Sequence, residues 1–595
     1  MTEFLSLLKW LVFWPLFGSW ILVLLLFLFL LIFGRNNQNK SSPNLQINTF
    51  SRFEIALIFY LFLIVFVIGI IAWVAPPNTW DSMAYHMSRV MHWIQNKSVD
   101  FFPTSILRQL HQNPWSEFAI MHFQILNDSD HFANFIQWFS MVGSLMGVSL
   151  LAKEFGAKNR GQIFAAVACA TIPMGILQGS STQTDYVVSF WLVCLVYFVI
   201  HFNKKADLLN AYGIGAALGL GILTKATMYI YAIPFLVWVT LYSIKIREVK
   251  RMRFIVLALF ISFLLNFGHY ARNNDLYHNP IGPGGESNNM VYANEEFTFS
   301  TATSNILRNI GLHLGTPFSQ VNSTVDNAIF LMHKYIGISP DDDRTTWLGQ
   351  EFHTPYLSTN EDIAGNLIHF ILISVLLFLY LIQRSKDIDT TVYILSILFG
   401  FLLFCVYLKW QPWNSRLHLP LFVLFSTFIG LRISNLRHER TGNLLMIMLL
   451  MMALPWVFFN TSRPLLGKNS IFTTSRIQQY FSNRPSIAKS YLASTQVLSE
   501  WNCSDLGLII GVDDWEYPLW VLLREKTVGA VHLEHVSVTN ISKRKYGEIH
   551  VSKFTPCAIF TLQTDLPSEI SIGANVYLQE WSYDSVTIYK RALNP

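Results

Sequence analysis

Apolar runs of about 15 to 24 residues recur along the chain, near 10–33, 54–75, 132–152, 161–178, 186–202, 211–224, 226–244, 254–270, 366–383, 391–408, 417–433 and 443–460. About 20 consecutive apolar residues suffice to cross a bilayer as a helix, which makes each run a candidate span. The fold class expected is a polytopic α-helical membrane protein with about 12 transmembrane helices. Composition agrees: 52% of the residues are hydrophobic and 13% charged, whereas soluble domains carry about a quarter charged residues. The first run is too long for a signal-peptide core and lacks a small-residue cleavage site, so it is kept as a span. A net charge of +5, with Lys and Arg confined to short segments between runs, argues against a nucleic-acid partner.

Those short basic segments set the topology. Arg35, Lys40 and Arg52, then Lys153, Lys158 and Arg160, then Lys204 and Lys205 fall between alternate runs. So do Lys245, Arg247, Lys250, Arg251 and Arg253, then Arg384 and Lys386, then Arg432, Arg437 and Arg440. The positive-inside rule places them in the cytoplasm. The long connections 76–131 and 271–365, and everything after about 461, are then outside. Three regions are expected: an N-terminal span and cytoplasmic linker (1–53), a transmembrane unit (54–460) and an extracytoplasmic α/β domain (461–595). Strand-like stretches at Leu506–Val512, Thr527–Leu533, Cys557–Leu562, Asn575–Gln579 and Ser585–Tyr589 alternate there with helical ones at Ser486–Trp501 and Trp515–Glu525. Cys503 and Cys557 can pair in an oxidising compartment or stay free. No CxxC is present, and the other cysteines lie inside apolar runs. Gly215 and Gly219 form a small-xxx-small pair, read as close helix packing.

Ionisable residues next to spans are costly and tend to be functional. In this topology Asp81, Asp185, Lys225, Arg272 and Arg416 all fall at the outer leaflet. Singly, each has a plainer reading, Asp81 and Asp185 as helix caps and the cations as snorkelling anchors. Together, two carboxylates and three cations on one face describe a site for a phosphate-bearing substrate with an acid or base to act on it. The first external loop adds Tyr85, His86, Arg89, His92, Trp93, Arg108, His111, Trp115, Glu117 and His122, a mixture that suits sugar binding or an interfacial helix equally. Its histidines lack tight metal-ligand spacing, so no metal site is assigned, although a divalent ion is not excluded. No Walker A or GxGxxG sequence is visible.

At these residues the chain resembles the GT-C superfamily of membrane glycosyltransferases, in particular the branch of bacterial protein mannosyltransferases and lipid A aminoarabinose transferases. The resemblance covers roughly residues 54–460. It rests on Trp80-Asp81-Ser82-Met83-Ala84-Tyr85, Thr184-Asp185 and Leu218-Gly219-Leu220-Gly221-Ile222-Leu223-Thr224-Lys225. Arg272-Asn273 with Asn279-Pro280-Ile281-Gly282-Pro283, and Arg416-Leu417-His418-Leu419-Pro420, complete it. Ser82 stands where the family often has a second carboxylate, and Gln112-Asn113-Pro114-Trp115 where it has an acidic-Lys-Pro element.

The resemblance implies a GT-C-like catalytic unit over 54–460 and no required cofactor. The donor would be a sugar, hexosyl or pentosyl, on a polyprenyl phosphate, and the acceptor a hydroxyl of a glycan, lipid or protein. The setting would be a bacterial or archaeal cytoplasmic membrane, where the protein serves the cell envelope from the outer face. Asp81 would take the acceptor proton, Lys225, Arg272 and Arg416 would stabilise the departing phosphate, and Asp185 would orient the first loop or the acceptor. Tyr85, His86, Arg89, His111 and Glu117 would contact substrate. The competing functions are a transporter or flippase of a lipid-linked or anionic substrate, whose polar residues would line a path across the bilayer, and an O-antigen ligase or polymerase.

Overall fold

The structure, a computed structural model, describes residues 1–36, 50–283, 292–526, 531–547, 554–563 and 565–592. Lys40, the start of the expected strand Thr527–Leu533, and part of the 271–365 connection lie outside these. Every apolar run forms helix, but the runs are not equivalent. Among the described residues eight helices are long and apolar enough to cross a bilayer, from Phe13–Ile32 to Glu439–Phe458. Leu208–Thr224, Leu367–Leu381 and Leu419–Ser434 are apolar but shorter, at 17, 15 and 16 residues. The run at 161–178 is broken: helix Asn159–Ala170 ends at Thr171, and Pro173 opens a second short helix, Pro173–Gln178. Proline lacks the N–H needed inside a helix but suits its first turn. The expected dozen spans thus becomes eight full-length helices with shorter partners, in an integral multi-pass membrane protein.

Most helices pack about one apolar core. In helix Phe13–Asn36 the large apolar side chains from Phe17 to Ile32 stay exposed all round (Leu22 is 68% exposed); lipid is the solvent that permits this. Helix Arg52–Val74 begins at a Ser51–Glu54 capping box. Gly215 and Gly219 let helix Leu208–Thr224 lie directly on Val249–Tyr277: a Cβ on Gly215 would come within 2.7 Å of the Ala258 carbonyl, and one on Gly219 within 3.0 Å of the Ser262 Cα.

The C-terminal α/β domain carries a six-stranded sheet in the order β2-β1-β3-β6-β5-β4. The strands are β1 (Asp505–Ile509), β2 (His532–His535), β3 (Ala558–Thr561), β4 (Glu569–Ile572), β5 (Asn575–Tyr583) and β6 (Val586–Arg591). β1 pairs in parallel with β2 and β3, and the remaining pairs are antiparallel. β4 was not expected: four residues of Glu-Ile-Ser-Ile give too short an alternation to register as a strand. Helices Ala488–Glu500 and Tyr517–Lys526 take the places expected of them. The domain rests on the long loop 76–131. Asp130 accepts hydrogen bonds from Tyr480 (2.6 Å), Tyr517 (2.9 Å) and Arg476 (2.6 Å), and Asn78 donates to the Ser462 carbonyl (2.8 Å).

Cys503 and Cys557 form a disulfide across 54 residues, and Cys169, Cys194 and Cys405 are free. Denatured without reductant, the protein should titrate three thiols with maleimide, and after reduction all five. Five reactive thiols before reduction would refute the bond.

Candidate active site

Helix Arg52–Val74 ends at Ala75, and Pro76-Pro77 prevents its continuation. Asn78 is fully buried: besides its bond to Ser462, it donates to the Gln479 carbonyl (3.1 Å) and accepts from Arg463 (2.6 Å). Asp81 then leads a single π-helical turn, Ser82–His86, that runs into helix Met87–Asn96. Such turns are rare and concentrate at functional sites. The Ser82 hydroxyl is bonded to Thr79 and Thr182, which ties this turn to the segment before helix Asp185–Lys204. Asp81 makes no side-chain cap bond. Its carboxylate instead takes Arg416 at 2.7 Å and lies 3.8 Å from Arg108.

Arg416 sits on the short turn Asn414–Leu417 before helix Leu419–Ser434 and joins three segments. One nitrogen meets Asp81, and the other meets Asp362 at 2.8 Å and the Gln183 amide oxygen. Gln183 donates back to Asp362 at 2.9 Å. Beside them Lys225, at the end of helix Leu208–Thr224, donates to fully buried Asp185 at 2.6 Å. Asp185 is thus the first residue of helix Asp185–Lys204, and its carboxylate holds a cation.

These environments push the carboxyls apart. Burial alone would raise the Asp81 pKa, but Arg416, Arg108 and His86 hold it well below the usual carboxylate range. Asp362 goes the other way: burial raises its pKa despite Arg416, and Asp81 and Asp185 add to the rise. Burial lowers the Lys225 pKa against the pull of Asp185.

The other expected residues form a second layer. Glu117 is fully buried between His86, at 2.5 Å, and Arg89. Burial works against its charge, yet Arg89 and His86 bring its pKa to about 2. His111 is driven to about 3 by burial, helped by Arg89 and Arg108, so it is neutral near pH 7 and offers no charge to a phosphate. Tyr85 lies under Arg108, whose guanidinium carbon is 4.8 Å from the ring centre. Arg272 stands apart from the Asp81 cluster, held by both oxygens of Glu3 at 2.6 and 2.8 Å. Of the five ions expected to converge, four do so directly.

Two residues the sequence reading passed over belong here. Asp362 was discoverable: Glu361-Asp362 sits shortly before an apolar run, as Asp185 does. Arg108 was seen only as one of many polar residues in its loop. Asp513-Asp514-Trp515-Glu516, from the C-terminal domain, docks on the first loop. Asp513 pairs with Arg108 and accepts from Trp80 at 3.0 Å.

Glu516, His92 and His535 are buried with ligand atoms within 4.8 Å of one another, close enough for a metal ion. They also bind each other. Glu516 takes His92 at 2.7 Å, His535 at 3.1 Å, Gln109 at 2.6 Å and Trp520 at 2.8 Å. The Ser105 backbone N–H donates to His535 Nδ1 at 3.3 Å, which leaves the ring proton on Nε2, facing the carboxylate.

Behind the site, Glu361 and Arg463 form a pair with neither side chain exposed, and Arg463 also holds Asn78. Removing one charge of such a pair strands the other in a dry interior, at about 3–5 kcal/mol. Arg463→Met should lower the unfolding temperature in detergent sharply, and adding Glu361→Leu should restore part of the loss. A double variant no more stable than the single one would contradict the pairing.

Residues 114–269 match the family described as dolichyl-phosphate-mannose-protein mannosyltransferase. No curated protein sequence matches. Among solved structures, the chain is similar to ArnT from Cupriavidus metallidurans bound to undecaprenyl phosphate, with a TM-score of 0.51 at 12% identity over 90% of this chain and 97% of that one. The archaeal oligosaccharyltransferase AglB from Archaeoglobus fulgidus, in complex with an inhibitory peptide and a dolichol-phosphate, gives a TM-score of 0.45 at 11% identity over 86% of this chain and 70% of that one. The resemblance drawn from the sequence therefore holds: over 114–269 the chain is similar to the mannosyltransferase family of GT-C membrane glycosyltransferases, and over nine-tenths of its length it has the fold of ArnT.

Proposed function

We propose that this protein is an inverting glycosyltransferase that moves a hexosyl or pentosyl group from a polyprenyl-phosphate donor to an acceptor hydroxyl at the outer face of a cytoplasmic membrane. The observation that carries the reading is the cluster of Asp81, Arg416, Asp362, Lys225 and Asp185, built where five separate segments of the chain meet. The family match over 114–269 and the ArnT fold support the donor class. The Cys503–Cys557 disulfide supports the outer side, since such bonds persist in oxidising compartments. A transporter would need charge along a path through the bilayer, whereas this cluster gathers at one end of the helices.

In the reaction, the acceptor oxygen attacks the anomeric carbon while the bond from that carbon to the phosphate oxygen breaks. The acceptor proton passes to Asp81, and the lipid phosphate leaves with one more negative charge. Lys225 and Arg416 act where that charge grows, so they favour the transition state over the ground state. The resting pairs set the order of events. While Arg416 holds Asp81, the carboxylate is a weak base; a donor phosphate that draws Arg416 toward itself strengthens Asp81 at the moment a proton must be taken. Arg272, engaged by Glu3, is assigned to the donor path at the edge of the site. Tyr85, His86, Arg89, His111 and Glu117 shape the wall of the first loop.

General-base assistance contributes about 10² to 10⁴ in rate. Asp81→Asn should reduce transfer from a polyprenyl-phosphate sugar by that factor in nanodiscs while donor binding persists; near wild-type turnover would make Asp81 structural. Lys225→Ala should lose more than Lys225→Arg, and Arg272→Ala less than Lys225→Ala. Equal turnover for Lys225→Ala and wild type would remove Lys225 from the phosphate site.

The depressed pKa of Asp81 has a sign that kinetics can read. Its ionised form is favoured in the resting site, so the acid limb of kcat/KM due to this group should lie below its ordinary range near 4. Arg416→Gln removes the main counter-charge and should move that limb upward, alongside a lower plateau. A limb that stays in place when Arg416 is changed would dissociate it from Asp81.

A further inference from the structure

Outside the Asp81 cluster, the C-terminal domain carries an open cleft of about 630 Å³, within the size range of small-ligand sites. It lies at the carboxyl ends of the parallel strands, lined by the residues that follow β1, β2 and β3 and by β4. From β1 the chain turns through helix Tyr517–Lys526 to β2 on one side, while from β3 it leaves toward β4 on the other. The crevice opens where these paths diverge, which is where open α/β sheets bind their ligands.

The lining chemistry narrows the occupant. Ser537, Gln563 and Ser571 bring groups that both donate and accept hydrogen bonds, as sugar hydroxyls do, and Ile570 and Val512 offer aliphatic surface to the C–H faces of a ring. Val512 is 58% exposed. The described lining holds one carboxylate, Glu569, and no Lys or Arg, so it does not suit a phosphate. The cleft also adjoins the reaction site. The Val512 carbonyl accepts from Arg108 at 3.2 Å, and the same guanidinium pairs with Asp513 and lies 3.8 Å from Asp81.

We propose that this cleft is an acceptor subsite that holds a neutral oligosaccharide beside Asp81. The assignment rests on the glycosyltransferase reading above. It is tested on the full-length protein in nanodiscs, with chitotriose, maltotriose and mannotriose as probes and inorganic phosphate as the contrast. Hydrogen exchange should slow at 509–512, 536–540 and 566–572 with at least one trisaccharide and not with phosphate. Ser571→Trp, a bulky change at an exposed position, should abolish the effect and raise the acceptor KM about tenfold or more with the donor KM unchanged. No protection by any trisaccharide, protection by phosphate alone, or protection that survives Ser571→Trp would overturn the proposal. Asp81→Asn separates the two readings. Absent protection with turnover still dependent on Asp81 sinks the cleft alone. Intact protection with turnover indifferent to Asp81 sinks the reaction and the acceptor role with it.

Discussion

One guanidinium organises the end of the helices where the long loops meet. Arg416 reaches Asp81 in the first long loop, Gln183 in the segment before helix Asp185–Lys204, and Asp362 in the second long loop. A planar fork can satisfy several oxygens at fixed angles, which an ammonium cannot. None of these three partners lies in the body of a spanning helix, so nothing in the apolar core specifies where they should sit. Arg416 supplies that specification. Because a carboxylate withdrawn from water without a cation is expensive, Asp81 and Asp362 are held to it by the cost of leaving.

The same logic extends through the first long loop and the domain packed on it. Glu117 is held by His86 and Arg89, Asp130 by Arg476 and two tyrosines, and Glu516 by two histidines, an amide and an indole. Several of these contacts link the loop to the C-terminal domain, so the loop is clamped between the helices below and the sheet above. The rigidity is local. Arg416 and Asp81 stay partly open, at 12% and 14% exposure, whereas Asp185 and Glu117 are closed off. An anion approaching the site therefore meets cations that have partners but remain within reach.

Much of this was legible in the sequence because it is written locally. Apolar runs mark helices by length, and a carboxylate or cation next to a run stands out against its neighbours, which is how Asp81, Asp185, Lys225 and Arg416 were found. Pairing is not local. Asp81 and Arg416 are 335 positions apart, and no spacing rule predicts that one will hold the other. Arg272 looked equivalent to Arg416 by position and motif, yet Glu3 holds it away from the cluster. The expected dozen differs from the eight full-length helices for a different reason: three runs form helices of 17, 15 and 16 residues, and hydropathy does not see that Pro173 breaks a fourth. Asp362 was missed only for want of applying the same rule to the second loop.

The two glycines under Lys225 have a reach beyond packing. Helix Leu208–Thr224 lies on Val249–Tyr277 at a distance that only a missing side chain allows at Gly215 and Gly219. A helix is stiff along its axis, and Gly215 is ten residues from Lys225, about 15 Å at 1.5 Å per residue. A single methyl group inserted there acts as a wedge at the far end of a lever. It leaves every polar group of the site chemically intact and still moves the ammonium relative to Asp185. The face that carries Lys225 and Asp185 is thus partly calibrated from within a helix, at positions that carry no functional group at all.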